Sequence, residues 1–159
     1  IEGLDSNSTQ EDIQKILTEY GIKSNIQHSK LNIKNLSNVS LVLWGSGSPK
    51  REFLHVNDMA AAALFVLELD EEIYRSNTKP MLSHINVGTG KDVTIKEMAE
   101  TMKQVVGFKG DLTFDTTRHD GSPRKLINVS RLSNMGWNCS ITLEDGLKET
   151  YKWFLNNKE

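Results

Sequence analysis

The residues of this chain best suited to chemistry are cations delivered by glycine- and proline-shaped turns. Leu43 to Asp58 reads LWGSGSPKREFLHVND, with Gly45, Gly47 and Pro49 shaping a turn that releases Arg51. Glycine lets the backbone approach a ligand, because no Cβ intrudes and a positive φ costs little. A second turn, Asp120-Gly121-Ser122-Pro123, releases Arg124 and Lys125. An arginine fork and a lysine point charge form a common division of labour on a phosphate, so two such turns could converge on a diphosphate. The alternative is that these cations are ordinary solvated surface charges. Trp44, immediately before the first turn, offers an aromatic face to a base or a sugar. It reads equally well as a core tryptophan ending a buried strand.

Other chemistries lack their patterns. The four histidines, His28, His55, His84 and His119, are scattered without metal-ligand spacing, and Cys139 is the single cysteine. His55 stands out only for lying between Arg51 and Asp58. Gly45-Ser46-Gly47-Ser48 is one residue too tight for a nucleophile elbow. There is no phosphate-binding Walker sequence, no Gly-x-x-Gly-x-x-Gly between a strand and a helix, and no Tyr-x-x-x-Lys, since Tyr74 is followed by Thr78 and Tyr20 by Ser24.

Bulk properties describe a globular chain. Its 159 residues are 37% hydrophobic and 25% charged, with a net charge of -2, enough for one core and too few for two comfortable domains. The near-neutral balance argues against nucleic acid or an anionic membrane as a partner. No apolar run reaches the roughly 20 residues of a membrane span, and no signal peptide opens the chain, so the expected compartment is the cytoplasm. The Asn-x-Ser/Thr triplets then read as compositional accidents. The start at Ile1 rather than Met fits a piece of a longer protein.

The elements that must carry these turns follow from periodicity and caps. Ser8 with Glu11 starts a helix over residues 8–20 that Gly21 stops, and Val39 to Trp44 reads as a buried strand. Residues 22–40, with scattered Ile26, Leu31, Ile33 and Leu36, are unassigned. Phe53 to Val56 reads as strand-like. Met59 to Leu69, capped by Asp58 or Asn57, is apolar enough to predict a helix buried on most sides. Asp70 to Pro80 reads as a polar connection and His84 to Val87 as a short strand. Thr94 with Glu97 opens a helix that Gly107 ends, Leu112 to Phe114 is a strand, and Arg124 to Ile127 follows the second turn. Ser130 opens a short helix closed by Gly136. Thr142 caps a last helix with Leu143, Leu147, Tyr151, Phe154 and Leu155 on one face. The mixture predicts an α/β or α+β lobe.

Three stretches, WGSGSPKREFLHVNDMAAAALFVLEL, PMLSHINVGTGKDVTIKEMAETMKQVVGFKG and DGSPRKLINVSRLSNMGW, resemble in order the GDP-L-fucose synthase family of the extended short-chain dehydrogenase/reductases. The resemblance runs from about Leu41 to Leu155 and leaves 1–40 as a divergent, unassigned segment before a 41–159 substrate-binding portion. It implies the mixed α/β substrate lobe of such an enzyme, with the Rossmann half largely absent. It further implies a GDP-4-keto-6-deoxy-D-mannose substrate, epimerised at C3 and C5 and reduced at C4 by NADPH. Trp44, Arg51 and Lys125 then occupy GDP-sugar-binding positions, and Asp111 stands where some relatives place a substrate-contacting arginine. NADP(H) and the catalytic Ser/Tyr/Lys and Cys would belong to the missing N-terminal half, and homodimerisation to the full-length enzyme. Neither His28 nor Cys139 can be equated with a family catalytic residue. The alternatives are another nucleotide-sugar epimerase or dehydratase of the superfamily, or a non-catalytic nucleotide-sugar-binding module.

Overall fold

The computed structural model describes residues 8–24 and 39–157. His28 and the scattered apolar residues from Ile26 to Leu36 lie outside them. In chain order the elements are α1 (Gln10–Glu19), β1 (Ile22–Ser24), β2 (Val39–Trp44), β3 (Lys50–Arg51), α2 (Val56–Leu67), α3 (Glu71–Asn77), β4 (Val93–Thr94), α4 (Ile95–Val106), β5 (Asp111–Asp115), β6 (Arg124–Lys125), α5 (Ser130–Asn134) and α6 (Leu143–Asn157). This is the α/β lobe the sequence predicts.

Two small sheets organise it. In the first, β2 lies between an antiparallel β1 and a parallel β5, with Ser40 opposite Asp111 and Trp44 opposite Asp115. In the second, β3 lies between an antiparallel β4 and a parallel β6. Since β2 runs through the Gly45–Pro49 turn into β3, that turn couples the two sheets. It also meets α4, whose Ile95 and Lys96 amides donate to the Pro49 and Gly47 carbonyls.

Caps explain most helix boundaries. Thr94 and Glu97 form the predicted capping box, and Gly107 ends α4 at φ 70°. Thr142 exchanges hydrogen bonds with Asp145 at the start of α6. The box of α1 is Thr9 with Asp12, one residue beyond the predicted Ser8 and Glu11, because the Thr9 hydroxyl accepts from the N3 amide of Asp12. Asp70 accepts from the Glu72 amide and starts α3 within the segment read as a polar connection.

Three expectations are not met by the structure. Phe53 and Leu54 are irregular, and His55 caps a helix that already begins at Val56. His84 to Val87 forms no strand, since no described strand lies alongside it. Helix α2 is not buried on most sides: Asp58 and Ala62 are buried, whereas Val56, Met59, Leu64 and Leu67 are exposed, Leu67 at 81%. The end of α6 likewise exposes Trp153, Phe154 and Leu155. The buried apolar core among the described residues is correspondingly small, consisting of Val39, Ala62, Leu132 and Met135.

Asp58 sits within the first turn of α2 and is 3% exposed. Its carboxylate accepts from the Ser140 amide and hydroxyl and from the Ile141 amide at 2.9 to 3.2 Å, tying α2 to the chain entering α6. Burial raises its pKa, but the Ile141 and Ser140 hydrogen bonds outweigh it and hold the value below the ordinary 3.8. A depressed carboxylate stabilises the fold above its unfolded pKa and loses that contribution as pH falls through the folded one. Asp58→Asn, which turns an amide NH₂ toward backbone donors, should therefore cost roughly 2–4 kcal/mol in urea unfolding at neutral pH. The difference from wild type should shrink as the pH drops below about 4.

Candidate functional site

The second sheet sets two cations side by side. Arg51 on β3 is the direct cross-strand partner of Lys125 on β6, and Lys50 is the partner of Arg124. Successive strand residues point to opposite faces, so Arg51 and Lys125 share one face and Lys50 and Arg124 the other. Arg124 is neutralised there by Asp92, with Nε on Oδ2 at 2.5 Å and Nη2 on Oδ1 at 3.3 Å. That hydrogen bond from Arg124 keeps the Asp92 carboxyl below its usual range. On the first face, no carboxylate among the described residues forms an ion pair with Arg51 or Lys125. Like charges directly opposite in a sheet repel, and an anion between them reverses the sign of that interaction.

Backbone and carboxylate hold the cations in place. Arg51 Nη1 donates to the Lys50 carbonyl at 2.6 Å, and its Nη2 packs so closely on Gly121 that a Cβ there would come within 3.3 Å. Asp120 joins the two turns, accepting from the Ser46 amide at 2.8 Å and the Ser46 hydroxyl at 2.6 Å. Those bonds hold the Asp120 carboxyl below its usual range. Lys50 N–H adds a bond to the Pro123 carbonyl at 2.8 Å. Arg51 also opens onto a hollow of about 260 Å³ that Phe53, Lys91, Cys139 and Leu143 help to line.

Trp44 is 74% exposed at the end of β2, so it is not a core tryptophan. The Arg118 guanidinium lies 5.0 Å from its ring centroid, within the range of a cation–π contact. Asp111 is at the opposite end of the β2–β5 pair from Trp44. The two ends are four residue steps apart, about 13 Å at the usual rise. The structure thus brings Arg51 and Lys125 together and does not bring Asp111 to the Trp44 end.

His55 accepts from the Asn57 amide through Nδ1, and its Nε2 is 3.9 Å from a Glu149 oxygen. It packs on Gly146 of α6, where a Cβ would come within 3.0 Å of the ring, which gives it a structural place at the seam of α2 and α6. Cys139 is free and half-buried. Sequence reasoning missed Arg118, and it missed the tie made by Asp120. Arg118 carries no motif. Asp120 and Ser46 lie in the two cation-bearing turns, and only their mutual contact was invisible.

Gly88-Thr89-Gly90 is the remaining glycine turn, and it does not fit a dinucleotide. The amides of Thr89 and Gly90, which a phosphate would need, both donate to the Glu52 carboxylate at 2.6 and 2.7 Å. The N-terminus of α4 is closed by its own capping box. Among the described residues no cluster of His, Cys, Asp or Glu could hold a metal, and no helix is long and apolar enough to cross a membrane.

With this geometry in place, residues 20–88 match the NAD dependent epimerase/dehydratase family. Within that class the resemblance is to GDP-L-fucose synthases. The chain is 58% identical over 119 residues to the GDP-L-fucose synthase of Escherichia coli K12, covering 75% of this chain and 37% of that protein. It thus spans little more than a third of that relative. A GDP-6-OMe-4-keto-L-xylo-heptose reductase from C. jejuni superposes with a TM-score of 0.74 at 32% identity, over 95% of this chain and 40% of that one. An NADP-bound GDP-L-fucose synthetase from Naegleria fowleri gives 0.61 at 28% identity, over 74% and 35%.

Gly45 adopts φ 84°, and a Cβ on it would collide with Asp120 Oδ1. Gly45→Ala should lower stability by about 1–3 kcal/mol in chemical denaturation, combining backbone strain with displacement of Asp120 from Ser46.

Proposed function

We propose that this chain is the GDP-sugar-binding part of an enzyme that converts GDP-4-keto-6-deoxy-D-mannose to GDP-L-fucose. The reaction epimerises C3 and C5 and reduces C4 with NADPH. The observation that carries the reading is the Arg51–Lys125 pair, adjacent on one face with no ion-pair partner among the described residues. The Arg51 fork and the Lys125 ammonium bind the diphosphate. Trp44, with Arg118 against it, offers a stacking surface to the base or sugar. Asp111 carries no contact in this reading, given its place at the far end of the β2–β5 pair.

The hydride and proton chemistry belongs outside this chain, in a nucleotide-binding half that holds NADP(H). Residues 41–159 form the substrate portion and 1–40 a divergent lead-in. Two features support a missing neighbour. The exposed apolar side chains of α2 form a face of the kind that packs against another layer. The strand-like residues 84–87 have no partner among the described strands. The whole enzyme works in the cytoplasm as a homodimer, and this portion by itself turns nothing over.

Calorimetry with GDP-mannose tests the binding role. Arg51→Ala should weaken binding about 30-fold, the roughly 2 kcal/mol of a charge-assisted hydrogen bond. Unchanged affinity would remove Arg51 from the site. Tighter binding of a UDP or dTDP sugar would favour a different member of the epimerase/dehydratase family, a reading that the breadth of the family match supports. Incubated with the keto-sugar and NADPH, the chain should leave absorbance at 340 nm unchanged, and a decline would overturn the division of labour.

A further inference from the structure

Glu52 follows Arg51 directly, yet it does not neutralise it. Its Oε1 accepts from Thr89 N–H at 2.6 Å, Gly90 N–H at 2.7 Å and the Thr89 hydroxyl at 3.2 Å. Its Oε2 accepts from Ile127 N–H at 3.2 Å. One carboxylate thus gathers three backbone amides from two segments far apart in sequence. The fit is close enough that a Cβ on Gly88 would come within 2.5 Å of Oε1 and 2.8 Å of Ile127 Cδ1.

Those contacts bear on the binding pair for a geometric reason. β3 and β6 are two residues each, too short to fix their relative position by ladder bonds alone. On the side where both strands begin, Asp120 on Ser46 and the Lys50–Pro123 bond join them. On the side where both strands end, Glu52 on Ile127 is the side-chain tie, and Ile127 stands two residues beyond Lys125. The repulsion between Arg51 and Lys125 acts to spread this end.

Resting on the diphosphate-binding reading above, we infer that Glu52 is a positioning residue that sets the spacing of Arg51 and Lys125 for a nucleoside diphosphate. It acts through backbone amides and contributes no ligand contact of its own. Its negative charge, engaged on the 89–90 turn and Ile127, leaves the Arg51 fork available to an anion.

The test is calorimetry of the full chain with GDP, with thermal unfolding in parallel. Glu52→Gln keeps the size but turns an NH₂ toward amide donors, and should weaken GDP binding about tenfold. Glu52→Asp keeps the charge, is too short to reach both segments, and should fall between wild type and the Gln variant. It serves as the reading if Glu52→Gln does not fold. In an Arg51→Ala/Lys125→Ala background, where there is no spacing left to set, Glu52→Gln should change residual GDP affinity by less than twofold. An equal loss in both backgrounds would mean a general structural role and overturn the proposal. So would full GDP affinity in a folded Glu52→Gln or Glu52→Asp chain. Wild type that ignores GDP altogether would overturn the diphosphate site itself, and the positioning role of Glu52 with it.

Discussion

Two positive side chains held against each other by a short parallel pairing are the constraint around which this lobe is arranged. Arg51 and Lys125 stand opposite because β3 and β6 pair in one register, and a one-residue slip would send one cation to the other face. Each strand has only two residues, so the register must be set from outside it. The glycine turns, the Asp120–Ser46 tie and the placement of Asp92 on the opposite face can all be understood as conditions for that one juxtaposition.

Three carboxylates tie separate segments of the lobe together, and all three accept from backbone amides. Asp58 joins α2 to the entry of α6, Glu52 joins the 89–90 turn to the exit of β6, and Asp120 joins the two cation-bearing turns. A carboxylate can accept several hydrogen bonds at once, which suits a fold whose apolar core is small. Using acidic residues this way also keeps them off Arg51 and Lys125.

What the sequence made legible was local. The Thr94–Glu97 capping box located α4 and Thr142 the start of α6, an apolar run located β2, and alternation located β5. The cation turns were legible because glycine and proline mark them. What was not legible depended on neighbours. His84 to Val87 has strand composition, and α2 has the composition of a buried helix, because composition records the environment a segment is suited to. The pairing of Ser46 with Asp120 and the stacking of Arg118 on Trp44 are also tertiary facts. No spacing rule reaches across them. Asp111 was placed by resemblance alone, and only the strand register shows how far from Trp44 it lies.

The span between Ser46 and Asp120 has a kinetic side. The two turns meet across 74 residues, and Glu52 reaches Ile127 across 75. The helices α1, α4 and α6 can nucleate from contacts within a few residues. The binding pair exists only after a long loop has closed, with entropy lost before any contact compensates for it. On a growing chain, Arg51 emerges well before its counterpart and must wait for Lys125 to clear the ribosome. The ligand-binding surface should therefore be among the last parts of the lobe to form and among the first to be lost when the chain is nicked between the two turns.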